Sequence, residues 1–249
     1  MDMAENIAAV VLAAGAASRF GFRPKGLLER EGQPLVARQV DLLACAGLRR
    51  IVVVLGRHAA AFEPVLRETQ ERLPARVRLE WVCNPAPEAG TGASLRCALA
   101  RLVPEAKHLP PEGEGARQVT LHCEVTEMAA VLVLLADQPL LLDEDIDAAL
   151  RAWQSRAPDI ELVMPTYQGQ PGHPLVFGRT LWRWLVRQPA FKGVRDWRDT
   201  HPTQVQALPV THPRCTLDID TEADLAALAA IHGVYLRWPD AQQPSLVDR

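Results

Sequence analysis

The chain has 249 residues, 48% of them hydrophobic, and a formal net charge of −3. That length and apolar content supply a sizeable core and argue against wholesale disorder, while the mild acidity argues against a nucleic-acid groove or a membrane-surface face. No apolar run approaches the ~20 residues of a spanning helix, the opening MDMAENI is too acidic and polar for a secretory signal, and the five single cysteines suit reduced thiols in a cytoplasmic protein.

Ile7 to Leu12 is a short apolar run rich in β-branched residues, which predicts a strand buried on both faces. It breaks into Ala13-Ala14-Gly15-Ala16-Ala17-Ser18, where small side chains let a ligand approach the backbone and Gly15 can take φ > 0. Amides in such a turn can form a concave anion site. Arg19 and Lys25 follow on either side of Gly21, a guanidinium and a movable ammonium for a polyphosphate. The spacing fits neither G-x-x-x-x-G-K-S/T nor G-x-G-x-x-G, and the same residues also suit an Ala-rich βα turn with two solvated cations.

Leu35 to Ala46 predicts a helix closed by Gly47, and Ile51 to Leu55 a second buried strand. His58 to Leu73 predicts a helix in which Pro64 is tolerated if it falls in the first turn. Val77 to Val82 alternates, as a strand nearer an edge does. This alternation of strands and helices predicts a parallel sheet with right-handed crossovers. NPAPEAGTG, Asn84 to Gly92, is a turn-rich loop before a helix from Ser94 to Leu102; in open α/β sheets, ligands bind where such loops leave the strands. Turn chemistry alone explains Asn84, Gly90 and Gly92, and a helix start explains Ser94. Pro104 to Met128, rich in Pro, Gly and Glu, reads as a surface insertion with a strand or hairpin over Gln118 to Val125.

Ala129 to Leu135 is the most apolar strand, predicted to be central, and runs into Ala136-Asp137-Gln138-Pro139. An Asp at the carboxyl end of a central strand projects into the ligand crevice, and its carboxylate is a hard ligand suited to Mg²⁺. A capping role in the loop is the plainer alternative. Asp143 is expected to cap a helix to Gln154, and Ile160 to Met164 to form a strand. A helix is expected over Arg179 to Arg187, extended segments at Gln204 to Pro209 and Cys215 to Ile219, and a helix from Thr221. From Arg237 on, the chain reads as a loose or partner-ordered tail, leaving one domain over 1–236.

LAAG-x-x-S-R-x-G followed by P-K-x-L-L resembles the signature loop of the MobA-like nucleotidyltransferases, closest to the molybdenum cofactor cytidylyltransferase branch. Three further segments match in order: N-P…G-x-x-x-S-L from Asn84, A-D-Q-P from Ala136, and D-x-D-T-x-x-D-L from Asp218. The resemblance implies a three-layer α/β/α sandwich with a mostly parallel Rossmann-like sheet, as in nucleotide-diphospho-sugar transferases. It implies Mg²⁺-dependent transfer of CMP from CTP to the terminal phosphate of the molybdopterin cofactor, with possible delivery to a recipient molybdoenzyme. By the same resemblance Arg19, Lys25 and Asp137 are catalytic, and Leu12, Ala13, Ala14, Gly15, Asn84, Gly90, Gly92 and Ser94 bind the nucleotide. Asp137 and Asp220 hold the metal with Asp218 in reserve, and Gly172, His173 and Arg195 bind the acceptor.

Two departures stand out. Lys25 comes one residue later after Arg19 than in that branch, so Phe22 or Arg23 reads as inserted and Arg23 can share the phosphate role. Phe191 replaces an Asp near the acceptor residues. Ala14 favours CTP, since LAAG tends to accompany CTP and LAGG GTP. A GTP-dependent or sugar- or polyol-phosphate nucleotidyltransferase remains an alternative, as does a non-catalytic cofactor chaperone.

Overall fold

The computed structural model describes residues 6–15, 20–21, 23–103, 128–188 and 193–239. The first apolar run forms β1, Ile7–Ala13, whose first five residues are buried. β4 (Arg50–Leu55) and β6 (Ala130–Leu135) flank it in parallel, with Val11 opposite Val53 on one side and Leu134 on the other. A strand paired on both edges and covered on both faces meets no water, which is why these runs are apolar at every position.

The sheet continues outward from β4 to β5 (Arg78–Cys83). From β6 it passes through β9 (Leu175–Gly178) and β7 (Leu162–Tyr167) to β10 (Val205–Pro209), with β8 (Gln170–Pro171) paired to β7. β9 runs antiparallel to β6 and β7, while β1, β4, β5 and β6 are mutually parallel and β10 is parallel to β7. Helices α1 (Leu35–Cys45), α2 (Ala59–Arg72) and α4 (Asp143–Ser155) bury their apolar sides on one face, against Ala9 and Val11. Helices α3 (Thr91–Leu102), α5 (Arg179–Arg187) and α6 (Val194–Thr200) cover the other, against Ala8 and Val10. The expected three-layer α/β/α architecture with a mostly parallel sheet is observed.

A second, three-stranded sheet joins β2 (Glu29–Arg30), β3 (Gln33–Pro34) and β11 (Leu236–Arg237). It shares a small core with α7 (Glu222–His232), built on Phe20, Leu28, Leu35, Ile219 and Leu228. Among the described residues no helix is long and apolar enough to cross a membrane.

Several local expectations are corrected. Pro64 lies in the second turn of α2, so it has no N–H to offer the Ala60 carbonyl. Asp143 is the first residue of α4, and the capping is done by Asp145, whose Oδ2 accepts the Leu142 N–H at 2.9 Å. Cys215 to Ile219 forms no strand; Pro213–Cys215 is a 3₁₀ turn, and the segment is held by single bonds to two loops instead of a ladder. Arg237 pairs with Glu29, and Trp238 packs edge-on to Phe20 at 5.9 Å, so neither is loose. Met128, assigned to the insertion, is buried in the core. The rest of the insertion, with its Gln118 to Val125 strand, and residues 240–249 lie outside the described residues.

Candidate active site

The site lies at the carboxyl edge of the parallel strands. Gly15 does not use its freedom to take positive φ, and a Cβ there would meet nothing within 4 Å, so what it contributes is room. The close approach comes from Gly56, just after β4, where a Cβ would stand 2.6 Å from the Ala14 carbonyl oxygen. Residues 16–19, including Arg19, lie outside the described residues.

Lys25 opens a 3₁₀ turn, Lys25–Leu27, after Pro24. Gly26 lets that turn nest against Ala136 and Phe62, because a Cβ would be 3.1 and 3.0 Å from their side chains. This nesting carries Lys25 to the end of β6. Its Nζ lies 2.6 Å from Asp137 Oδ2 and 2.7 Å from Asp220 Oδ1. Arg23 points elsewhere: its guanidinium stacks 3.8 Å over the Trp238 ring.

Asp218 and Asp220 reach Asp137 by alternation. In an extended stretch, residues two apart share a side; Ile219 between them is fully buried, and its N–H donates to the Asp137 carbonyl at 3.2 Å. Asp220 is steadied by the start of α7, its N–H donating to Asp224 Oδ2 at 2.9 Å. Ligand oxygens of Asp137, Asp218 and Asp220 all lie within 4.8 Å of one another. Asp218 is exposed at its surface, yet the protein atoms crowding its carboxylate and the charges of Asp137 and Asp220 raise its pKa. Burial lowers the Lys25 pKa, but the attraction of Asp137 and Asp220 outweighs it and leaves the pKa above its usual value. Three carboxylates, two of them paired with one ammonium, form a hard-oxygen set with negative charge to spare, which fits a divalent cation. The structure brings both Asp218 and Asp220 to the cluster.

Gly172, His173 and Arg195 line one cavity of about 350 Å³, together with Leu12 and Thr91. The loop carrying Gly172 is tied to the carboxylate segment through one carbonyl. Cys215 C=O accepts the His173 N–H at 2.8 Å and Gln138 Nε2 at 2.8 Å. A Cβ on Gly172 would collide with that oxygen. Gln138 is itself fixed by Gln39, whose Nε2 donates to its carbonyl at 2.6 Å. His173 keeps some surface towards the cavity, yet protein atoms crowd its ring, and this desolvation lowers its pKa to about 4. The imidazole is therefore neutral near neutral pH.

Asn84 and Ser94 are buried and largely spent on loop geometry. Asn84 Nδ2 donates to Ser94 Oγ at 3.0 Å, and its Oδ1 accepts the Ala86 N–H at 2.9 Å. Gly90 has φ 91° at the start of α3, and Gly92 is buried in its first turn.

The family model for the MobA-like NTP transferase domain matches residues 9–205. The chain belongs to this family. The description of that family names nucleoside triphosphate transfer. Among curated relatives, the bifunctional IPC transferase and DIPP synthase of Thermococcus kodakarensis is 38% identical over 90 residues, 36% of this chain. This match spans only 20% of that relative's length. Among solved structures, Rv0371c of Mycobacterium tuberculosis is 25% identical with a TM-score of 0.63, covering 90% of this chain and 97% of its own. The same mycobacterial protein has also been solved in complex with manganese. A molybdopterin-guanine dinucleotide biosynthesis protein A from Archaeoglobus fulgidus shares the fold at a TM-score of 0.57 and 15% identity, covering 90% of this chain and 98% of its own.

The family's hallmark loop was legible in the sequence, but four contributors were not. Gly26 and Gly56 act through tertiary contacts, and only Gly56, just after a strand end, carried a signal. Arg198 also lines the cavity, from a helix that the sequence pattern did not announce. Gln138 read as a turn residue, and only the fold reveals its bond to Cys215.

Proposed function

We propose that this chain transfers CMP from CTP to the terminal phosphate of the molybdopterin cofactor, releasing pyrophosphate, in the cytoplasm. The observation that carries the reading is the cluster of Lys25, Asp137, Asp218 and Asp220 at the end of β6. Ala14 in the LAAG loop supports CTP, and the Archaeoglobus neighbour's place in molybdopterin dinucleotide synthesis supports the acceptor.

The backbone from Leu12 to Gly15 would cradle the nucleotide, with the small side chains leaving room. The loop from Asn84 to Ser94 would shape the base and ribose site, with Asn84 and Ser94 holding its form and Gly90 and Gly92 its backbone. Lys25, and Arg19 from the preceding loop, would meet the phosphates, where charge grows on the equatorial and leaving oxygens. Asp137, Asp218 and Asp220 would hold Mg²⁺, or Mn²⁺ as in the Rv0371c complex. A cation bound there would neutralise phosphate oxygens and favour pyrophosphate departure. Gly172, His173 and Arg195 would orient the acceptor phosphate. That phosphate is already ionised, so it needs no general base, and the neutral His173 suits a positioning role.

The test is pyrophosphate release with purified molybdopterin cofactor, compared among CTP, GTP and ATP. CTP is expected to be used fastest. Preference for GTP would make the protein a guanylyltransferase, and nucleotide binding without release from any of the three would make it a cofactor-binding chaperone.

A further inference from the structure

We infer that Trp238 is a positioning residue for the transfer site: it clasps the turn from Phe20 to Arg23 and, through that turn, holds Lys25 among the carboxylates. The inference rests on the nucleotidyl-transfer reading for its effect on turnover, but its evidence is the packing of the small second core. Trp238 follows β11, which pairs antiparallel with β2, Leu236 opposite Arg30 and Arg237 opposite Glu29. Continuing that register brings Trp238 level with Leu28. Leu236 and Trp238 are two residues apart in an extended segment, so they share a side, and both pack on the core that contains Phe20, Leu28 and Ile219.

Phe20 and Arg23 are the two ends of one turn. The Arg23 N–H closes it by donating to the Phe20 carbonyl at 3.2 Å, and Gly21 permits it at φ 60°. Trp238 holds both ends. Its ring meets Phe20 at 5.9 Å and 72°, and the Arg23 guanidinium lies 3.8 Å over its face. Protein atoms crowding Arg23 lower its pKa, opposed by the charge of Glu222 at the start of α7. A cation that has lost part of its water gains more from an aromatic face than a fully hydrated one.

The turn passes its position to Lys25. Only Pro24 separates Arg23 from Lys25, and the proline ring fixes its φ, here −71°. The Leu27 and Leu28 N–H groups donate to the Pro24 and Lys25 carbonyls at 2.9 and 3.0 Å, so the second turn continues directly from the first. Phe20 and Leu28, at the two ends of this stretch, are both buried in the small core, and Lys25 stands between them. The same core takes in Ile219, which separates Asp218 from Asp220, so one cluster registers the ammonium against Asp220. Simple packing of the chain end would use only the volume of Trp238, whereas a guanidinium over the ring uses its π face. Leucine supplies the first and not the second, which separates the two roles in experiment.

The experiment compares Trp238→Leu, Trp238→Phe and Arg23→Met with the wild type. The chain has three lysines, Lys25, Lys107 and Lys192, so trace acetylation read by mass spectrometry reports Lys25 against two internal references. The Lys25 side chain is 13% exposed and held by two carboxylates, so in the wild type it should be acetylated slowly. Trp238→Leu should speed its labelling and lower kcat, each by about three- to tenfold, with the acceptor KM unchanged. Trp238→Phe, which keeps a ring face, should restore both. Arg23→Met should match Trp238→Leu, and the double variant should be no worse than either single one. Wild-type labelling of Lys25 in Trp238→Leu, faster labelling with unchanged kcat, no restoration by Trp238→Phe, or additive losses in the double variant would each overturn the inference. Melting curves show whether Trp238→Leu is folded; if it is not, Arg23→Met, which removes the other partner of the same contact, decides alone. Absence of transfer by the wild type would remove the proposed reaction, and the labelling would still decide whether Trp238 holds Lys25.

Discussion

Substituting Ala for Gly172 tests the link between the carboxylate cluster and the cavity. The added Cβ would collide with the Cys215 carbonyl oxygen and stand 2.7 Å from its carbon and 3.0 Å from its Sγ. The obstacle is chiefly backbone, so no rotamer change relieves it and the two segments must separate. Separation weakens the bonds from His173 N–H and Gly172 N–H, to Cys215 and Pro165 respectively. Each such bond contributes about 1 kcal/mol, and overpacking adds about 1–3 kcal/mol. A total of about 3–5 kcal/mol corresponds to a melting temperature lowered by roughly 6–20 °C in a chain of this size. Because His173 moves with the loop, the acceptor KM should rise more than the CTP KM. Thermal melting and pyrophosphate release at limiting acceptor measure both effects. A variant that melts within about 2 °C of wild type, with unchanged acceptor KM, would refute the reasoning.

Asp137→Ala should abolish transfer while the protein stays folded; near wild-type turnover with Mg²⁺ would disprove the metal assignment. Lys25→Ala should impair turnover more than Arg23→Ala, because Lys25 sits among the carboxylates while Arg23 stacks on Trp238, and equal or reversed effects would contradict it. Folding lowers the His173 pKa from 6.5 to about 4, so between those values the unfolded chain binds the proton more tightly and stability rises with pH. The effect is at most about 3 kcal/mol, complete above pH 6.5 and lost as the pH falls towards 4. Melts of wild type and His173→Gln from pH 4 to 7 should show a shallower slope for the variant; identical slopes would exclude His173 as the cause. Deleting residues 108 to 124 should leave CTP-dependent pyrophosphate release largely intact, because the described elements on either side, α3 ending at Leu102 and β6 starting at Ala130, leave and enter the fold at the opposite end of β6 from Asp137. Lost turnover at an unchanged melting temperature would mean that the insertion reaches the site.

The sequence was most readable where burial is two-sided. β1, β4 and β6 carry unbroken apolar runs because no position meets water, and the end of β6 then marked Asp137 as a crevice residue. The meeting of Lys25 with Asp220, 195 residues away, was not readable from spacing; it needs Gly26 to nest against Ala136 and Ile219 to bury between two aspartates. Asn84 and Ser94 were legible as a loop motif, but the bond between their buried side chains was not. α6 escaped notice because its start is a glycine with a capping Asp196 rather than an apolar repeat, and with it went Arg198. The segment expected to be extended at Cys215 to Ile219 joins no ladder, because β-like residues form one only when a neighbouring edge is open to them.

The most direct test of the central claim follows the label of CTP into product. With CTP labelled at the α-phosphorus, radioactivity should enter the molybdopterin product, and with γ-labelled CTP it should leave entirely in pyrophosphate. Entry of the γ label into the acceptor would show phosphoryl transfer instead of nucleotidyl transfer, and the account of the site would be contradicted.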